Sequence, residues 1–90
     1  MAALIQTMMI KNKLGLHARP AALLVQEASK YKSKIEFEND GIKVNGKSIM
    51  GVMMLAAAFG SEISVIADGD DAEAALTGIL ALIESKFDEE

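Results

Sequence analysis

Lys34-Ile-Glu-Phe-Glu-Asn-Asp-Gly-Ile-Lys-Val44 alternates apolar and charged residues, breaks at Asn39-Asp-Gly41, and alternates again. A period of two places successive side chains on opposite faces of a strand, and Asn-Asp-Gly is the chemistry of a tight turn. The stretch predicts a two-stranded hairpin with Ile35, Phe37, Ile42 and Val44 on one face.

Upstream, Ala21, Leu24, Val25 and Ala28 fall at i, i+3, i+4 and i+7, which predicts a helix from Pro20 to Tyr31, with Pro20 in the first turn where its missing N–H costs nothing. Leu4 to Ile10 reads as a strand entering a loop, with Met8 and Ile10 facing inward. Downstream, Ser48 precedes the unbroken apolar run Ile49 to Phe59, a capped helix stopped at Gly60, and Glu62 to Ala67 is a fourth strand. Asp70 and Glu73 have capping-box spacing before Leu76, Ile79, Leu80, Ile83 and Phe87, which continue at helical spacing as a closing helix. The order strand, helix, strand, strand, helix, strand, helix predicts an α+β fold with a four-stranded sheet and helices on one face.

The 90 residues, 51% of them apolar, suffice for one core, so residues 1–90 are expected to form a single domain. With no cysteine and one histidine, thiolate chemistry and histidine metal clusters are excluded, and neither metal nor cofactor is expected. Residues 1–61 carry net charge +4 and residues 62–90 carry −8, a distribution that argues against binding duplex nucleic acid. The one dense basic run, Lys30-Tyr-Lys-Ser-Lys34, reads as a solvated helix end. The longest uncharged stretches are shorter than the roughly 18 residues of a membrane span, and no secretory signal is evident, so a cytoplasmic location without membrane insertion is expected.

The only histidine, the only arginine and the only proline lie together in His17-Ala18-Arg19-Pro20. Pro20 puts His17 at or beside a helix N-cap, where Ala18 and Arg19 supply backbone N–H groups and the positive dipole end favours an anion. Imidazole is nucleophilic only when neutral, and both the helix end and the Arg19 guanidinium repel an imidazolium. A phosphoryl group on His17 would meet N–H donors and a guanidinium suited to phosphate, while Gly15 lets the loop turn tightly.

Gly15-Leu-His-Ala-Arg-Pro-Ala21 resembles the active-site signature of HPr, the histidine phosphocarrier family of the phosphoenolpyruvate-dependent phosphotransferase system, and Lys47-Ser-Ile-Met-Gly-Val-Met53 is similar to its regulatory-serine segment. The resemblance implies an open-faced β-sandwich and a phosphoryl relay: His17 takes phosphate on Nδ1 from enzyme I and passes it to EIIA proteins, while Arg19 holds the phosphoryl oxygens. No catalytic base, metal or substrate pocket is visible in the sequence, so the chain is expected to be a substrate of other enzymes rather than an autonomous enzyme, and a monomer. Ser48 corresponds to the serine phosphorylated by HPr kinase, and Ile49, Met50 and Met53 to the partner-docking surface; Val52 and Leu55 are the core candidates of that segment. Methionine suits a surface that must fit several partners.

Asn12-Lys-Leu-Gly15, Met54-Leu-Ala-Ala-Ala58 and Phe87-Asp-Glu-Glu90 look more like the nitrogen-branch paralogue, NPr, which exchanges a sugar EIIA for a regulatory one. A third reading is a binding module in which phosphorylated Ser48 recruits a transcriptional regulator. Gly41 to Ser48 also satisfies the P-loop pattern, but its intervening residues alternate as a strand and no βαβ unit precedes them, so nucleotide binding is not expected.

Overall fold

The computed structural model describes residues 3–55 and 57–88. Ala56, within the apolar run, and Glu89-Glu90 of the acidic ending lie outside them. The elements are β1 (Leu4–Met9), α1 (Ala18–Ala28), β2 (Lys34–Asn39), β3 (Ile42–Asn45), α2 (Ile49–Met54), β4 (Glu62–Asp68) and α3 (Ala72–Glu84), followed by a short 3-10 turn, Lys86–Asp88. The strands form one antiparallel sheet in the order β1-β4-β2-β3, with the three α-helices on one face.

The hairpin forms as its alternation predicts. Asn39 pairs with Ile42 across Asp40-Gly41, both with positive φ (54° and 81°), the two-residue turn whose twist matches its strands. Phe37 stands opposite both Val44 and Val65, and Ile35 opposite Ala67, which places these side chains on the helix-facing side. Ile35, Phe37, Ile63, Val65 and Ala67 are buried there against Ala21, Leu24 and Ala28 of α1 and Ala75, Ile79 and Ile83 of α3. Ile42, at the far end of the edge strand β3, escapes this cover and is half exposed. Met8 of β1 is partly buried, and Ile10, one residue past the strand's end, fully so.

Three expectations need correction. The second helix ends with Leu55 as its C-cap rather than continuing to Phe59, because the Ala57 carbonyl is turned to accept the Leu16 N–H at 2.8 Å. Gly60 is accordingly no helix stop; its N–H donates to the Ile10 carbonyl at 2.8 Å and returns the chain to the sheet. Asp70 does not cap the last helix. Asp71 occupies the N-cap position, and its carboxylate instead accepts from the backbone N–H groups of Lys32 and Ser33 (2.8 and 2.9 Å) and from the Ser33 hydroxyl. Finally, α3 stops at Glu84, and Phe87 reaches the core from a left-handed turn (φ 57°) outside the helix.

Candidate functional site

The first helix starts two residues earlier than its apolar spacing indicates, at Ala18, so Ala18 and Arg19 are inside its first turn and His17 is the N-cap. His17 has extended backbone geometry (φ −81°, ψ −171°), and its carbonyl accepts from the Ala21 N–H at 3.0 Å, which closes the first turn. Its imidazole does not take the cap's side-chain hydrogen bond and is partly exposed, while Arg19 is exposed. Ser48 differs: its hydroxyl accepts the Gly51 N–H at 3.1 Å, as a good N-cap residue should. The α2 end is closed by the side chain of its own N-cap residue, whereas the His17 ring makes no such bond at the α1 end.

The loop that carries His17 is tied from both sides. Asn12 is fully buried and its side-chain amide donates to the Gly15 carbonyl at 2.8 Å, while the Gly15 N–H donates to the Asn12 carbonyl at 3.1 Å. Leu16 is buried and anchored to Ala57. Asn12 thus positions the loop, a role signalled by an asparagine in a glycine-containing loop but read from the sequence only as a mark of lineage.

On α2, Val52 is buried to 0% and its C-cap Leu55 to 4% exposure, as expected for the core. Ile49, Met50 and Met53 are exposed, as are Met54, Leu14 and Phe59, which were not singled out by sequence. For Met54 the apolar run itself held the signal, since a helix lying on a sheet buries one side only.

Lys47, the lysine of the P-loop pattern, donates through Nζ to the Tyr31 carbonyl at 2.6 Å, and the segment preceding it is the strand Ile42–Asn45. The first helix ends at Ala28, three residues short of the expected Tyr31, so the basic run lies beyond it; Lys30 there pairs back to Glu27 at 2.9 Å. Among the described residues, no cluster of three His, Cys, Asp or Glu side chains could hold a metal ion, and no helix is long and apolar enough to cross a membrane.

The sequence model of the family described as "PTS HPr component phosphorylation site" matches residues 5–85, nearly the whole chain. The chain belongs to the HPr family. Its match to the phosphocarrier protein HPr of Treponema pallidum is 51% identical over 86 residues, 96% of this chain and 98% of that one. The HPr-like protein Crh of Halalkalibacterium halodurans is 52% identical over 86% of this chain and 92% of its own. The crystal structure of HPr from Thermoanaerobacter tengcongensis superposes with a TM-score of 0.93 at 55% identity, covering 97% of this chain and 98% of that one. The α+β architecture is therefore the HPr fold, and the family is one of phosphocarriers of the phosphotransferase system. A second structure of HPr from the same organism is a dimer, so family membership does not by itself carry the expectation of a monomer.

Proposed function

We propose that the protein is a phosphoryl carrier that accepts phosphate on Nδ1 of His17 from phosphorylated enzyme I and donates it to EIIA-type proteins. The N–P bond forms as the donor's bond to phosphorus breaks, and the reverse exchange with the acceptor restores the neutral imidazole. The observation that carries this reading is the N-cap position of His17, with its ring unused by the cap and the Ala18 and Arg19 N–H groups beside it. A helix N-terminus stabilises the incoming dianion, and the Arg19 guanidinium supplies a planar donor fork for its oxygens.

The exposed apolar side chains Ile49, Met50 and Met53 form the docking surface in this reading, and Ser48, at the base of the same helix, is the regulatory phosphorylation site for HPr kinase. Phosphoenolpyruvate, Mg²⁺ and a cognate enzyme I should place an acid-labile, base-stable phosphate on wild type and none on His17→Ala. Absence of label on the wild type would overturn the carrier reading. Transfer to a sugar EIIA or to a regulatory EIIA then distinguishes the two branches.

The second reading, a regulatory module acting through phospho-Ser48 on a transcriptional regulator, is favoured by the similarity to the HPr-like protein Crh. It predicts binding of such a regulator only after Ser48 is phosphorylated, with or without phosphate at His17.

A further inference from the structure

Half of the chain's six methionines lie on one six-residue helix, Ile49–Met54. None of these three is core: Met50 is 72% exposed, Met54 69% and Met53 42%, whereas Val52 on the same helix is at 0%. At roughly 100° per residue, Met50 and Met54 each stand about 200° round the helix from Val52, so both point away from the sheet. A helix fixed by Val52 and its Leu55 cap has no packing need for thioethers on its outer side.

We propose that Met50 and Met54 are a reversible oxidation site, and that their conversion to sulfoxides switches off the docking of phosphoryl donors. The proposal rests on the carrier reading above. The oxidant is a peroxide: the thioether sulfur gives up two electrons and gains an S=O bond, while the peroxide O–O bond breaks and its other oxygen leaves as water. Oxidation turns a flexible apolar side chain into a strongly dipolar one. A partner that covers this helix must then desolvate the S=O groups without partners matched to them, which opposes docking. The fold is spared, since the altered atoms lie on the side of α2 remote from Val52. Two reductases, one for each sulfoxide epimer, restore the original side chain.

The test treats the intact protein with hydrogen peroxide, maps the added oxygens by peptide mass spectrometry, and measures phosphoryl acceptance from cognate enzyme I and the thermal midpoint on the same samples. The expected result is oxygen on Met50 and Met54 ahead of the partly buried Met8, a fall of about tenfold in kcat/KM with enzyme I, an unchanged midpoint, and recovery after treatment with both sulfoxide reductases. Met9, half exposed on the opposite face of the sheet across from Glu62, is the internal control. Met9→Leu should lose activity on oxidation as the wild type does. Oxidation of Met8 before Met50 and Met54, full oxidation with an unchanged rate, or a rate lost together with the midpoint would each overturn the proposal. Untreated protein that accepts no phosphate would overturn the carrier reading and this switch with it, an outcome distinct from the other three.

Discussion

Gly15 lies so close to Ala57 that a Cβ built on it would stand 2.5 Å from the Ala57 carbonyl oxygen, the oxygen that accepts the Leu16 N–H at 2.8 Å. The contact joins the His17 loop to the segment following α2, and it requires a residue without a side chain at φ 69°. Gly15→Ala must either break the Leu16 bond or displace backbone, because the obstructing atom is a carbonyl and not a movable side-chain end. We expect a loss of about 2 kcal/mol, seen as a fall of about 10 °C in the thermal midpoint, together with slower phosphoryl acceptance at His17. An unchanged midpoint would show that the loop is not pinned at this point.

Phe87 closes the core from beyond α3. It is fully buried, yet Lys86, Phe87 and Asp88 all have φ between 57° and 59°, a conformation that side-chain-bearing residues rarely adopt in succession. Burial of one large ring holds this turn in place. Phe87→Ala should therefore cost about 3–5 kcal/mol, measured as a lower urea midpoint. A loss below about 1 kcal/mol would mean that the ring does not anchor the turn.

The hairpin, the His17 N-cap and the Ser48 cap were legible in sequence because each is decided locally, by alternation, by Pro20 and by a side chain three residues from its target. The end of α2 was not. Its residues are apolar throughout, so no change of periodicity marks Leu55, and the stop is imposed by Leu16, which is remote in sequence. Asp70 and Asp71 are likewise indistinguishable by local pattern. What separates them is the pair of N–H groups at Lys32 and Ser33, which claims the Asp71 carboxylate from 38 and 39 residues away. Phe87 kept the helical spacing and the burial that its position implied while leaving the helix altogether, since spacing reports a face and not a backbone conformation.

The Asp71 carboxylate is held below its ordinary value of 3.8, first by the Ser33 hydroxyl and then by the Lys32 N–H, with partial burial opposing them. A carboxylate depressed in the folded state favours folding above its unfolded value, and that contribution is lost as pH falls through the lower folded value. Stability should thus decline as the solution is acidified below about pH 4. Glu27 is also depressed, chiefly by its hydrogen bond from Lys30, so the wild-type decline contains both groups. Asp71→Asn isolates one of them: it should be less stable than wild type near neutrality, with the gap narrowing in acid. Urea unfolding across this range measures the gap, and a constant difference would contradict the linkage.

Ser48 separates stability from docking. Its hydroxyl accepts the Gly51 N–H at 3.1 Å, so Ser48→Ala removes a cap and should cost about 1 kcal/mol. Ser48→Asp keeps an acceptor at the N-cap and adds a charge that the helix dipole favours, so it should remain close to wild type in thermal midpoint. The same charge stands beside Ile49 and Met50, both exposed on the proposed docking surface. In the proposed carrier reading enzyme I buries those side chains, and it would meet a carboxylate, or in the phosphorylated protein a phosphate, that it has to desolvate. The two variants should therefore diverge: Ser48→Ala loses stability with the smaller effect on transfer, and Ser48→Asp holds stability while its KM for enzyme I transfer rises. Thermal unfolding and transfer kinetics on the same preparations provide the comparison, and an unaltered KM in Ser48→Asp would remove Ser48 from the docking surface.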